Sequence, residues 1–233
     1  RKNTINDYSA KQEFEYYPTD SHRIKTGIEF KNLKMKYKSL YIGDFDQNKF
    51  PNTNVSTLLA AFYLEDSWKL SETWTFQPGL RMNYAQVQST YLRDKPETDF
   101  FNPEFRASLR KEITEDSNVY FSYGRYHQYL NTMNVGFAPL DVWFPLDKSL
   151  KPGVSDHFIL GYRTMLGLNH VLELEAYYKD MDNLVEFRSE SYDDWQNDSS
   201  MLCDMFNKGK GFSYGVDLLL RTNWKGIEGF LSY

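Results

Sequence analysis

A two-residue alternation between apolar and polar side chains limits this chain more than any other feature. In residues 171–180, one alternate set reads Leu, Leu, Ala, Tyr and Asp, while the other carries Glu173, Glu175 and Lys179. Successive side chains of a β-strand point to opposite faces, so a period of two predicts a strand with one apolar and one polar face. Such a strand suits a wall that separates hydrocarbon from water.

The same alternation returns in residues 74–84, 104–110 and 213–221. In the first of these segments, the aromatic residues Trp74 and Tyr84 stand at the two ends of the apolar row. A soluble β-sandwich also alternates, but it does not so readily place aromatic residues at both ends. Aromatic girdles at two interfaces and a polar interior are typical of a transmembrane β-barrel.

The composition is compatible with a barrel and excludes a helical membrane protein. The mean hydropathy is -0.64, and the sequence contains no run of about 18 apolar residues, the length that a membrane-spanning helix needs. A barrel strand places only alternate residues against lipid, so its average can remain polar. The net charge of -5 argues against a nucleic-acid partner.

Short turns and long loops alternate along the whole chain. We predict about ten strands, in residues 8–17, 22–37, 56–69, 73–88, 103–111, 118–128, 156–166, 170–187 and 209–221 and at the end of the chain. The long loops are residues 38–54, 89–102, 129–154 and 188–208. All of these loops come at one end of the strands, which is the pattern of outer-membrane barrels with short periplasmic turns and long extracellular loops.

The predicted fold class is therefore all-β: an antiparallel transmembrane β-barrel, of which this chain supplies part. An open sheet cannot lie in a bilayer, because the N–H and C=O groups at its edges would lack partners. We expect further strands before Arg1 and after Tyr233, and we expect residues 1–233 to belong to a single barrel domain.

Several short stretches of the chain carry a family resemblance. They are AFYLEDSWKL (61–70), PGLRMNY (78–84), NVYFSYGRY (118–126), LKP (150–152) followed by LGY (160–162), EAYYK (175–179) and YGVDL (214–218). In order and spacing they resemble the middle barrel strands of TonB-dependent outer-membrane receptors, especially those of Bacteroidetes-like bacteria. Two positions depart from that family, which often has Glu where this chain has Gly153 and Ile159.

The resemblance implies a 22-stranded barrel in the outer membrane of a Gram-negative bacterium, with an N-terminal plug domain in the lumen. Such a receptor binds a scarce nutrient, of the siderophore, vitamin, glycan or peptide class, and imports it with energy from the TonB complex. Its partners would be outer-membrane lipids, the plug of the same polypeptide, the TonB complex and, in some receptors, a surface lipoprotein. The plug, the TonB-contacting box and the terminal strand are outside this sequence, and no cofactor is implied.

The alternation also predicts a set of charged residues that face the lumen. They are Arg81, Glu104, Arg106, Arg110, Glu173, Glu175 and Asp217. These side chains could hydrogen-bond to a plug or line a substrate path, or they could form a solvated wall of self-paired charges. The pair Glu173 and Glu175 invites a catalytic interpretation, but a spacing of two is simply the period of one strand face. We predict no catalytic residue.

Aromatic and polar residues of two long loops are candidates for ligand or partner contact. They are Tyr126, Gln128, Tyr129, Asp141 and Trp143 near the first loop, and Asp193 and Trp195 in the second. Exposed loop aromatics can grip a ligand or a lipoprotein. They can equally pack the loop on itself or on a plug, and the acidic residues can simply be solvated.

Motifs of other functional classes are missing from the sequence. The four histidines are dispersed without metal-ligand spacing, Cys203 is the single cysteine, and no phosphate-binding or nucleophile motif occurs. The leading hypothesis is thus an importer. The alternatives are a barrel that scaffolds surface lipoproteins or export machinery without transport and, last, an outer-membrane enzyme.

Overall fold

A computed structural model of the 233-residue chain describes residues 4–37, 53–89, 97–134, 141–146, 150–187, 206–224 and 226–233. In that part of the chain, every regular element is a β-strand. The strands are β1 (Thr4–Thr19), β2 (His22–Tyr37), β3 (Thr53–Lys69), β4 (Trp74–Ser89), β5 (Thr98–Thr114), β6 (Ser117–Gln128), β7 (Leu130–Asn134), β8 (Asp141–Pro145), β9 (Gly153–Leu166), β10 (His170–Phe187), β11 (Phe206–Trp224) and β12 (Ile227–Ser232). None of the residues described above forms a helix long and apolar enough to cross a membrane.

Ten strands form one antiparallel sheet in the order β1-β2-β3-β4-β5-β6-β9-β10-β11-β12. Each strand pairs with the next main strand along the chain, which confirms the predicted all-β antiparallel wall. Several strands are longer than predicted, and β5 is the clearest case, because it extends the prediction of 103–111 to Thr98–Thr114. The predicted loop 129–154 contains the additional hairpin of β7 and β8, whose five-residue strands are too short for periodicity to identify.

The short turns all lie at one end of the sheet and have local explanations. Gly167 and Gly226 adopt positive φ angles of 67° and 82°, a conformation that glycine reaches without steric cost. Between β3 and β4, the Ser71 hydroxyl accepts hydrogen bonds from the backbone N–H groups of Thr73 and Trp74. Such Gly- and Ser-centred turns join adjacent antiparallel strands directly.

The register between strands carries the alternation of each strand across the whole sheet. Leu174 is opposite Tyr162 on β9 and Leu218 on β11, whereas Glu175 is opposite Gly161 and Asp217. Partners in an antiparallel pair share a face. The sheet therefore has one apolar face and one polar face.

The apolar face is exposed and bounded by aromatic residues at both ends. Its large side chains are not packed in a core: Phe105, Leu160 and Val216 are 55%, 56% and 57% exposed. On the long-loop side, an aromatic row runs in register across four strands through Tyr123, Phe158, Tyr178 and Tyr214. On the short-turn side, the boundary is made by Trp68 and Trp74. This is the outer surface of a membrane wall rather than one layer of a sandwich.

The strands continue beyond the aromatic row on the long-loop side. The main strands β1 to β6 and β9 to β11 have 12 to 19 residues, whereas a tilted strand crosses a bilayer with about 9–11. The next residues of the apolar face after Tyr123 and Phe158 form an ion pair, Arg125 with Asp156, at 2.7 Å. The change from aromatic to charged side chains marks the limit of the hydrocarbon layer.

Four buried apolar side chains of the wall lie on the polar face, at its long-loop end. Met35, Val55, Ala85 and Val87 are at most 2% exposed, and all four occupy polar-face positions of β2, β3 and β4. Strand β8 contacts β3 and β4, and β7 contacts β10. The hairpin of β7 and β8, called the inward hairpin below, therefore folds across the polar face.

Candidate functional site

The polar face is the candidate functional surface, and many of its charges are paired with one another. Four ion pairs on β1 to β4 join Lys25 to Glu13 (2.9 Å), Arg23 to Glu15 (2.6 Å), Lys31 to Asp7 (3.0 Å) and Arg81 to Glu29 (2.9 Å). All of these side chains are partly exposed, so solvent screens each pair. This region of the wall agrees with a self-paired ionic surface.

A repeated arrangement of tyrosine, glycine and glutamate spans three strands at a time. Tyr63 on β3 is opposite Gly27 on β2, which is opposite Glu13 on β1. The Tyr63 hydroxyl crosses the glycine and donates a 2.5 Å hydrogen bond to Glu13. Because a Cβ at Gly27 would lie 2.5 Å from that hydroxyl, only glycine leaves room for the crossing.

The same arrangement recurs on the other half of the sheet. Tyr120 on β6 is opposite Gly161 on β9, which is opposite Glu175 on β10. The Tyr120 hydroxyl reaches Glu175 across Gly161 and also donates to Glu173 at 3.2 Å. The two glutamates that the sequence places next to each other thus share one tyrosine hydroxyl. They act together in fixing a side chain, which is a structural use of paired carboxylates.

Glu104 holds the base of the inward hairpin. Its Oε1 accepts a 2.8 Å hydrogen bond from the backbone N–H of His127 and lies 3.4 Å from the His127 ring, and its Oε2 lies 3.4 Å from Arg106. Glu104 occupies the polar face and is 4% exposed, so it is covered. Burying a carboxylate is costly unless hydrogen bonds compensate it, and these donors provide the compensation.

Tyr129 is buried immediately beyond the end of β6. It is 8% exposed, its ring lies 6.4 Å from those of His127 and Phe100, and its hydroxyl donates to Asn102 at 3.2 Å. Burial, together with the negative charge of Glu104, raises the pKa of the Tyr129 hydroxyl above its ordinary value. In this arrangement Tyr129 packs the loop against the wall.

A basic and aromatic row crosses the polar face next to the inward hairpin. Arg106, Gly124, His157 and Lys179 are successive register partners on β5, β6, β9 and β10. The Tyr126 ring lies 4.8 Å from the Arg106 guanidinium and 4.7 Å from the His157 ring. A small cavity of about 300 Å³ adjoins this row. Its polar lining includes Glu29, Arg81, Glu104, Arg106, His127 and Tyr129.

The residues predicted to face the lumen all occupy the polar face. Arg110 is opposite Tyr120, Asp217 is opposite Glu175, and Arg81 is opposite Glu104. The Arg106 guanidinium contacts the Tyr126 ring, although the two were predicted separately as a wall residue and a loop residue. Sequence reasoning missed His157 and Lys179, because only the pairing of β6, β9 and β10 aligns them with Arg106.

The structure describes only some of the loop residues that were predicted to contact a ligand or partner. Gln128 donates from its amide to the Leu130 carbonyl at 2.9 Å and to Asn131 at 3.1 Å, within its own loop. The structure describes only the backbone of Asp141 and Trp143, in β8. Asp193 and Trp195 lie outside the described residues. No cluster of three or more His, Cys, Asp or Glu side chains that could hold a metal ion occurs among the described residues.

An exposed apolar band with aromatic borders and a charged opposite face define the wall of a transmembrane β-barrel. The family model of the TonB dependent receptor-like β-barrel matches residues 2–233. The chain therefore belongs to the family of TonB-dependent receptor β-barrels, and its place is the outer membrane of Gram-negative bacteria. A comparison with curated protein sequences gives no match.

Solved structures share the fold at low sequence identity. The FrpB iron transporter of Neisseria meningitidis aligns with 94% of this chain at a TM-score of 0.66 and 11% identity. The ferric yersiniabactin uptake receptor FyuA of Yersinia pestis aligns with 99% at 0.63 and 14%, and the copper transporter OprC with 98% at 0.68 and 13%. The chain covers 34%, 35% and 36% of these proteins, about a third of their length.

Proposed function

We propose that this chain is part of the barrel of an active importer, which takes a scarce nutrient across the outer membrane through a plugged lumen. The family match over residues 2–233 carries the proposal. The two-faced wall supports it, because the apolar face suits lipid and the polar face suits a hydrated interior. The substrate classes considered are siderophores, vitamins, glycans and peptides, and the aligned iron, ferric siderophore and copper transporters make a metal-containing ligand the first to test.

The proposal includes partners outside this sequence. Unpaired edges at β1 and β12 cannot remain in a bilayer. In our proposal, further strands complete a barrel that has 22 strands in total. A plug domain of the same polypeptide would fill the lumen and connect it to the TonB complex. The polar face offers a plug many hydrogen-bonding groups, among them Arg81, Arg106 and Glu173 on three different strands.

The alternative is a barrel that holds surface lipoproteins or export machinery without transporting a nutrient. Long loops favour this alternative as much as import, since they can dock a partner. Catalysis is the weakest candidate, because Glu173 and Glu175 are both engaged by the Tyr120 hydroxyl.

Uptake in whole cells tests the proposal. The complete gene is deleted in its own host, and uptake of labelled iron, copper and cobalamin is measured under starvation for each. If the protein is an importer, deletion of its gene abolishes uptake of one nutrient. In cells that keep the gene, removal of the TonB complex or collapse of the proton gradient abolishes the same uptake. The scaffold would instead be established by two results together. Uptake of all three nutrients is unchanged in the deletion strain, and surface lipoproteins that co-purify with the barrel from wild-type cells are lost from that strain.

A further inference from the structure

We propose that the row formed by Arg106, Tyr126, His157 and Lys179 is a binding site for a ligand that carries several carboxylate or phosphate oxygens. This inference rests on the proposed function, since it assigns a ligand class to the wall of the importer. It names an oxyanion site on the polar face of β5, β6, β9 and β10, at the long-loop half of the sheet and beside the inward hairpin.

The register brings the three basic groups onto one line. Arg106 is opposite Gly124, Gly124 is opposite His157, and His157 is opposite Lys179. Neighbouring strands are about 4.8 Å apart, so the row extends roughly 15 Å across the wall. That length suits a ligand with several separated oxyanions better than a single small ion.

Tyr126 organises the first half of the row. A Cβ at Gly124 would lie 2.8 Å from the Tyr126 hydroxyl. The phenol ring therefore lies over Gly124, between Arg106 and His157. The ring is 4.8 Å from the Arg106 guanidinium and 4.7 Å from the His157 ring. Stacking of a guanidinium on an aromatic ring leaves its N–H donors free at the edge.

Arg106 and Lys179 carry the positive charge of the row, which is only partly neutralised, and the His157 imidazole adds hydrogen-bonding atoms. Within the described part of the chain, neither His157 nor Lys179 has a carboxylate within 4.0 Å. Glu104 contacts Arg106, but it also accepts the backbone N–H of His127. Glu175 lies four residues along its strand from Lys179, about 13 Å away.

The position of Lys179 completes the site. Its Nζ lies 5.0 Å from the centre of the Tyr177 ring, and its register partner on β11 is Ser213, whose hydroxyl is a further donor on the same face. The row therefore presents guanidinium, imidazole, ammonium and hydroxyl donors to the water-filled side. Donors of this kind bind carboxylate and phosphate oxygens through charge-assisted hydrogen bonds.

Isothermal titration of the complete receptor in detergent tests the site, with ferric citrate and tripolyphosphate as probes at low salt. Hydrogen bonds to charged groups are strong enough that Lys179→Gln should weaken binding about tenfold. His157→Gln should also weaken it, and Lys179→Arg should retain most of the affinity. The matched control is Lys210→Gln, because Lys210 is a lysine outside the row that pairs with Asp182 at 2.9 Å.

The outcomes separate this inference from the proposed import. Weakening by Lys179→Gln and His157→Gln, with Lys210→Gln at wild-type affinity, supports the site. Failure of both probes to bind the folded wild-type receptor overturns it, and so does binding that all variants leave within twofold. If the probes fail to bind or the variants change nothing, and whole cells still take up a nutrient through the receptor, the proposed import stands and only the oxyanion site is excluded.

Discussion

The ring of Tyr120 lies over Gly161, its partner on the adjacent strand, and carries its hydroxyl to Glu175 on the strand beyond. A cross-strand pair of this kind couples three strands through one side chain. Tyr63 and Gly27 repeat the relationship on the other half of the sheet. Tyrosines placed flat on glycines keep the polar face smooth while satisfying the carboxylates that face it.

Gly161→Ala should therefore destabilise the barrel. The added Cβ would overlap the Tyr120 ring, which would have to leave the wall and release Glu175. Loss of that hydrogen bond and the local displacement together should cost about 1–3 kcal/mol. Thermal unfolding of the complete protein in detergent, followed by its heat-modifiable gel mobility, measures the change.

Gly209→Ala on β11 is the matched control, because nothing lies within 4 Å of a Cβ added there. It should leave the unfolding temperature unchanged. Equal stability of the two variants would mean that the packing of Tyr120 on Gly161 does not hold the strands together.

Leu218→Arg and Asp217→Asn should have opposite consequences, although the residues are neighbours. Leu218 belongs to the apolar face and is opposite Leu174, whereas Asp217 is opposite Glu175. A charge that faces the middle of the bilayer costs about 2–4 kcal/mol, and a lumenal substitution does not carry that cost. Assembly measured as folded protein in the outer-membrane fraction should fall for Leu218→Arg and remain at the wild-type level for Asp217→Asn. If both variants assemble equally, the assigned faces are wrong.

The sequence predicted the two faces well because alternation is a property of each strand alone. The apolar even residues of β4 and the polar odd residues of β10 can be assigned to their faces without knowing which strands lie beside them. Relationships between strands were not accessible in the same way. Tyr120 and Gly161 are 41 positions apart in the sequence, and a register change of one residue would move either to the other face.

The long-loop end was the least predictable part. Residues 129–154 were predicted to be a long loop whose aromatic residues either contact a ligand or pack the loop on itself or on a plug. In the structure β7 and β8 pair there, and Tyr129 is buried. Burial depends on which surface the loop meets. Val55 and Val87 are apolar residues on the polar face, and these breaks in the alternation were the available signal for a covering element.

Glu104→Gln should loosen the inward hairpin without preventing barrel assembly. Glu104 accepts the His127 N–H at 2.8 Å and lies beside Arg106. A neutral amide accepts more weakly, and its NH₂ group would face the donors of its neighbours, for an expected cost of about 1–3 kcal/mol. Hydrogen exchange of the complete protein should accelerate at His127 and Tyr129. Glu65→Gln, on the polar face of β3, serves as the control, and equal protection in both variants would exclude Glu104 as the anchor.

The ion pair of Arg125 and Asp156 should behave as a unit at the border of the hydrocarbon layer. The guanidinium donates two hydrogen bonds to the carboxylate, at 2.8 and 2.7 Å. Asp156→Leu leaves a cation beside lipid without its partner, and Arg125→Leu leaves the carboxylate without its cation, hydrogen-bonded by the Tyr123 hydroxyl at 2.7 Å. Each single variant should lose about 1–2 kcal/mol of unfolding free energy, a modest value because Arg125 is 42% exposed.

The double variant Arg125→Leu with Asp156→Leu should lose less unfolding free energy than the two single variants added together. The reason is that two leucines next to Tyr123 and Phe158 extend the apolar band. Replacing a whole charge pair by apolar residues is often neutral, whereas removing one partner is not. A double-mutant cycle on the unfolding of the complete protein measures the coupling. Additive losses would mean that solvent screens the two charges, and that the hydrocarbon layer ends nearer to the aromatic row than this pair.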